Sequence, residues 1–137
     1  MTQVVIDAAF AGAWILPDEH SRAADRALNS ILEQNIELTV PDLWSYELTN
    51  MLLSACRRGR ISEEQIYDAH RLIDEIPYRS YEQQAPLSRD RISRLAIRCG
   101  LSAYDAAYLE LADRLQCPLM TSDRLLGRAA RELGLSR

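Results

Sequence analysis

Val4-Val5-Ile6-Asp7 is three apolar, β-branched residues without alternation, closed by an acid. A strand with one wet face alternates apolar and polar residues. An unbroken apolar run instead predicts a strand covered on both faces, the habit of parallel sheets. Leu38-Thr39-Val40 and Pro118-Leu119-Met120 are further runs of this kind, and Pro77-Tyr78-Arg79-Ser80 is a weaker, more polar one that suits a sheet edge. Helical patterns separate the runs, and such alternation predicts a parallel sheet with right-handed crossovers.

The spacing predicts a short helix over 9–15. A second is expected over 17–34, because Pro17-Asp18-Glu19 has the proline and acids of a first turn and Ala23, Ala27, Leu28, Ile31 and Leu32 follow at helical spacing. Pro41 starts a helix striped by Trp44, Leu48, Met51, Leu52 and Ala55 and ended by Gly59. Ser62-Glu63-Glu64-Gln65 caps the next, which reaches about Ile76. Further helices are expected over 85–99, stopped by Gly100, over 102–115 with Tyr104, Ala107, Tyr108, Leu111 and Leu115 buried, and over 124–133.

At 137 residues the chain is expected to form one domain, 1–137, burying roughly two-thirds of its unfolded surface without disulfides. No apolar run approaches the length of a bilayer span, and Met1-Thr2-Gln3 leads directly into a strand, so a cytoplasmic protein without membrane contact is expected. Cys56, Cys99 and Cys117 form no CxxC or Cys/His pattern and read as reduced thiols. The net charge of −4 opposes indiscriminate attraction to nucleic acid. All 16 basic residues are arginine. The lack of lysine excludes P-loop phosphate binding, Schiff-base chemistry and the lysine switch of receiver domains. Arginine suits bidentate phosphate contacts, although a GC-rich coding sequence favours it equally.

Four acids stand out by position. Asp7 ends the first run, Glu47 lies in the helix after the second, Asp105 opens the helix over 102–115, and Asp123 follows the last run. Each has a plain structural role available. Asp7 and Asp123 suit helix N-caps, Ser102 and Asp105 match a capping box, and Glu47 shares a polar strip with Leu43, Asn50 and Ser54. Together they point elsewhere, because ligands of open parallel sheets bind beyond the strands' carboxyl ends. Acids converging there repel one another unless a cation lies between them. A divalent metal site and phosphate chemistry are therefore expected. Thr121 and Ser122, beside Asp123, and Asn50, on the strip of Glu47, are candidates for orienting ligands or water.

Val4-Val5-Ile6-Asp7-Ala8-Ala9, the segment Pro41-Asp42-Leu43-Trp44-Ser45-Tyr46-Glu47-Leu48-Thr49-Asn50, Leu101-Ser102-Ala103-Tyr104-Asp105-Ala106-Ala107-Tyr108, and Pro118-Leu119-Met120-Thr121-Ser122-Asp123-Arg124-Leu125-Leu126 together resemble the PIN-domain family. More narrowly, they resemble the VapC-type ribonuclease toxins of type II toxin–antitoxin pairs. The resemblance runs along essentially the whole chain, and its third and fourth segments are the most specific. It implies a three-layer α/β/α fold with a short central parallel sheet, and RNA cleavage dependent on Mg²⁺ or Mn²⁺. It also implies an acidic pocket of Asp7, Glu47, Asp105 and Asp123, in which Asp7 and Asp105 match the usual direct metal ligands. Ala9 departs from the small polar residue many relatives carry there. The family's final strand must be very short, near 135–137, or absent.

Mg²⁺ prefers oxygen ligands and is held by few carboxylates, and a set of acids without histidine fits it better than zinc. Asp7 and Asp105 are expected on the main ion, with Asp123 and Glu47 on a second ion or on metal-bound water. Hydrolysis by water would leave a 3′-hydroxyl and a 5′-phosphate. His20 and His70 fall in predicted helices with no evident acid or serine partner. Arg22, Arg26, Arg57, Arg58 and Arg60 are RNA-contact candidates by charge, although the cluster at 57–60 equally suits a helix C-terminus. A cognate antitoxin protein and a homodimer are also implied, with Met51, Ile66, Tyr67 and Ile73 available to a dimer contact or to the core. The alternatives are a PIN-like module that binds RNA or protein without cutting, a receiver domain, which the missing lysine opposes, and a flap-type DNA nuclease, which a single compact domain opposes.

Overall fold

The computed structural model describes residues 2–82 and 87–136. Four parallel strands, β1 (Gln3–Ile6), β2 (Glu37–Pro41), β3 (Tyr78–Tyr81) and β4 (Leu119–Met120), lie in the order β3-β2-β1-β4. The register pairs Val4 with Leu38, Val5 with both Thr39 and Leu119, and Thr39 with Arg79. β1 and β2 are central and buried, whereas β3 is an exposed edge, as its polar sequence predicts. Thr39 is the one polar residue in the middle of β2, and its hydroxyl donates to the Val4 carbonyl at 3.3 Å. That bond removes most of the cost of burying it.

The helices are α1 (Ala8–Ala11), α2 (Arg22–Glu33), α3 (Leu43–Arg57), α4 (Glu63–Glu75), α5 (Leu87–Cys99), α6 (Ala103–Leu115) and α7 (Arg124–Glu132). α3 packs on α1 and α4, while α6 packs on α5, α7 and strands β1, β2 and β4. The α/β layering expected from the sequence is therefore present. α6 lies deepest: Ala106 through Ala112 are all buried. Five of those seven residues are alanine or leucine, and Glu110 is tolerated there because Arg114 binds it in a fork at 3.1 and 3.2 Å.

Several expectations need correction. The helix expected over 17–34 is broken. Pro17–Glu19 forms only a 3₁₀ turn, His20 is extended, and Ser21 restarts the chain as the N-cap of α2 by accepting from the Ala24 N–H. A serine cap outweighed the proline-acid signal, and it also brings the Ala24 carbonyl to the Trp14 indole N–H at 2.8 Å. The expected helix over 9–15 is α1 followed by a 3₁₀ turn, Gly12–Trp14. Tyr104 is exposed and Leu115 only partly buried, because the buried stretch of α6 begins a turn later. The start of the helix expected over 85–99 falls at 85–86, outside the described residues.

Among the described residues no fifth strand follows α7. Instead the chain turns at Gly134 (φ 72°) and the Leu135 carbonyl accepts from the Leu119 N–H at 2.7 Å. Ile66 is core, Met51 and Ile73 pack against it, and Tyr67 is exposed. Cys117 is buried and all three cysteines are free. Among the described residues no helix is long and apolar enough to cross a membrane.

Candidate active site

Asp7 leaves β1 at the carboxyl edge of the sheet and is 4% exposed. Its extended backbone makes it the N-cap of α1, and its Oδ1 accepts from the Phe10 N–H at 2.9 Å. Its Oδ2 accepts from the Thr121 hydroxyl at 2.5 Å. Burial pushes the Asp7 carboxyl above its ordinary range despite these two bonds, and the charges of Asp105 and Asp123 push it further.

Glu47 enters from α3, half-buried, and its Oε1 accepts from the Tyr108 hydroxyl of α6 at 2.6 Å. Its carboxyl is also raised, first by burial and then by Asp105 and Asp7. Asp105 sits in the first turn of α6, where Ser102 Oγ accepts its backbone N–H at 3.1 Å. Burial and the charge of Asp123 raise its carboxyl, against a lowering hydrogen bond from the Ser102 side chain. Asp123 is the exposed N-cap of α7, accepting from the Leu126 N–H at 2.8 Å.

The capping roles expected of these acids are present, and they sit beside electrostatic contact between the acids. Asp7 and Asp123 do cap helices, Ser102 does cap α6, and Asp7, Glu47 and Asp105, from three separated elements, each feel the charge of at least one other acid of the set. Thr121 ties two of them: its hydroxyl donates to Asp7 and its Oγ1 accepts from the Asp123 N–H at 3.0 Å. Ser122 is exposed, with no side-chain hydrogen bond among the described residues. Asn50 is exposed too, and it lines a separate hollow with Ser45, Tyr46, Thr49 and Leu53.

No arginine or histidine forms an ion pair with Asp7, Glu47, Asp105 or Asp123 among the described residues. The ion pairs present bind Asp18, Glu19, Asp25, Asp68 and Glu110. Among the described residues the excess negative charge is therefore not paired with a cationic side chain. Among the described residues no three His, Cys, Asp or Glu side chains stand in a ready-made ligand cluster. Side-chain and backbone donors hold both oxygens of Asp7 and one each of Glu47 and Asp123.

Tyr108 belongs to the site although its spacing reads as core. The ring is buried (1% exposed) and the hydroxyl is the part that serves the carboxylates. The signal was available, since a fully buried tyrosine needs a partner for its O–H. Burial, and then Glu47, push its own pKa far above the ordinary value, so it stays a donor. Two expectations change. His20 does have an acid partner, Asp25, at 3.3 Å. Arg60 is engaged at the surface, gripping Asp18 at 2.6 and 2.8 Å.

A four-stranded parallel sheet with four converging acids at its carboxyl edge defines a class, and the match to a family of known proteins agrees. The family model of the PIN domain matches residues 4–132, and the chain belongs to that family. Ribonuclease VapC3 of Pyrobaculum aerophilum is 33% identical over 128 residues, covering 90% of this chain and 92% of that one. The crystal structure of PAE2754 from the same organism superposes with a TM-score of 0.67 at 26% identity, covering 93% of this chain and 79% of that one. Mycobacterium tuberculosis VapC20, described as a toxin cleaving the sarcin-ricin loop, shares the fold with a TM-score of 0.63 at 15% identity, covering 92% of this chain and 94% of that one.

Proposed function

We propose that the protein is a metal-dependent endoribonuclease, the toxic member of a type II toxin–antitoxin pair. One observation carries this reading: four carboxylates, three of them raised by burial and neighbouring charge, lie at the sheet edge, and among the described residues no cationic side chain pairs with them. The relative named as a ribonuclease, similar over nine-tenths of both chains, supports it.

The donor set fits a hard divalent cation. All the candidate ligands are oxygens, and three of the four carboxyls are held above their ordinary range by burial and mutual charge, an arrangement a cation would relieve. Mg²⁺ is typically held by only one or two carboxylates plus water and phosphate oxygens, so a ready-made three-ligand cage is not required. Asp7 and Asp105 would hold it, with Glu47 and Asp123 beside them, and Mn²⁺ would serve in its place. When bound, such an ion supplies charge neutralisation for the phosphate and a water of lowered pKa.

The chain's own groups prepare the site. Thr121 and the Phe10 N–H fix the Asp7 carboxylate in one orientation, Tyr108 does the same for Glu47, and Leu126 holds Asp123 at the end of α7. Water would be the nucleophile, so the expected products carry a 3′-hydroxyl and a 5′-phosphate. A cognate antitoxin would inhibit by setting an arginine among the carboxylates. Homodimerisation belongs to the same reading.

The test is cleavage of RNA by the purified protein with Mg²⁺, Mn²⁺ or chelator. Metal-dependent cutting that is lost in Asp7→Asn and Asp105→Asn, with folding retained, is the expected result. Binding of RNA without cutting in any metal would favour the non-catalytic module instead.

A further inference from the structure

The two aromatic side chains Tyr46 and Tyr104 are 80% and 66% exposed, and each immediately precedes a carboxylate of the site, Glu47 and Asp105. Neither ring has a ring partner, and neither hydroxyl has a hydrogen bond, among the described residues. Both line one cavity of about 480 Å³, together with Pro41, Leu43 and Ala107. That volume falls in the range of small-ligand pockets, about 300–1,000 Å³. A third tyrosine in its wall, Tyr81, already lies beneath the Arg79 guanidinium at 5.0 Å.

Strand order locates this cavity relative to the acids. Pro41 and Tyr81 end β2 and β3, whereas Asp7 and Asp123 follow β1 and β4. The cavity therefore continues the acidic edge sideways across the sheet, one to three strand spacings away, or about 5–15 Å. A neutral ring suits this neighbourhood better than a second phosphate, because the adjacent carboxylates would repel an anion.

We propose that this cavity is a base-binding subsite, in which Tyr46 and Tyr104 stack an unpaired nucleobase next to the phosphate held at the acids. The proposal rests on the nuclease reading and assigns the base beside the cut phosphate to these two side chains. Aromatic stacking of bases tolerates sequence and contributes about 1–3 kcal/mol per base.

The experiment is fluorescence anisotropy of a labelled single-stranded oligoribonucleotide with the full chain, its Tyr46→Ala, Tyr104→Ala and corresponding Phe variants, and an otherwise identical oligomer of abasic nucleotides. Both side chains point into solvent, so the variants should melt as the unaltered protein does. Loss of either ring should weaken binding roughly 5- to 100-fold, Phe should restore it, and the abasic oligomer should bind the unaltered protein and the Ala variants alike. Equal affinity of Ala variants and unaltered protein would overturn the subsite while leaving the nuclease reading intact if RNA is still cut. Ring-dependent binding without cutting would uphold the subsite and overturn the nuclease reading; no binding by any form would overturn both. Should the Ala variants keep RNA but lose an arginine-bearing peptide inhibitor, the face belongs to a protein and the proposal fails.

Discussion

The Tyr108 hydroxyl reaches Glu47 from a ring that is otherwise core, so a single oxygen can be removed with little disturbance to packing. Its bond favours the charged form of Glu47. In Tyr108→Phe, Glu47 should hold its proton to higher pH, and the acid limb of the cleavage profile should move upward. Activity near neutrality should fall about 10- to 100-fold, the usual cost of losing a group that orients a ligand. An unshifted acid limb would leave Tyr108 a packing residue. Asp105 offers a test with the opposite sign for stability. Its folded carboxyl is raised, so its stabilising contribution is complete below its ordinary value of 3.8 and is lost as pH rises through the folded value. Asp105→Asn should therefore melt later than the unaltered protein in chelator at neutral pH. The advantage should shrink as pH falls through the carboxylate range, and thermal melts at several pH values would show it. The positions of all four acids were legible in the sequence. Their hydrogen-bond partners were less so, because Tyr108 obeys a buried-face pattern that says nothing about where its oxygen points.

Elements were legible where one local rule acted alone. The buried strands β1 and β2, the Ser62 box on α4 and the stop after α5 all follow from their own residues, and Ser62 and Gln65 make both bonds of the box. Reading failed where two rules competed. Pro17-Asp18-Glu19 has the chemistry of a helix start, yet Ser21 four residues on caps the longer helix and wins. The extent of burial on α6 was also hidden, because it depends on α5, α7 and the sheet closing around the helix from three sides. Gly100 allows a clean measurement at this scale. Its φ is +68° and an added Cβ would meet nothing within 4 Å. Gly100→Ala should thus cost roughly 1–2 kcal/mol in a denaturant titration, all of it backbone strain. No measurable loss would mean that α5 ends without that left-handed turn.

At the scale of the molecule, charge and fold work against each other at the acidic edge, where burial and neighbouring charge raise three carboxyls. Chain order separates Asp7 from Asp123 by 116 positions, and the β3-β2-β1-β4 order sets the strands that precede them side by side. Mg²⁺ or Mn²⁺ should raise the melting temperature of the whole domain, since a ligand present at 100 times its Kd adds about 2.7 kcal/mol. The increase should disappear when Asp7→Asn and Asp105→Asn are combined. An equal shift in that double variant would locate the binding elsewhere. The four acids also contribute four of the negative charges behind the net charge of −4, so on the proposed reading a bound cation would offset much of the charge that opposes RNA.

β4 has only two residues, with β1 along one side and a single bond from Leu119 to the Leu135 carbonyl on the other. Leu135 is moored in turn by its own N–H to the Ala130 carbonyl at 2.7 Å. The segment that delivers Thr121 and Asp123 is thus guyed from the turn that follows α7. Deleting that turn, Gly134 and Leu135 included, should silence RNA cutting well before the helices lose their circular dichroism, which makes the turn a lever on activity separate from folding.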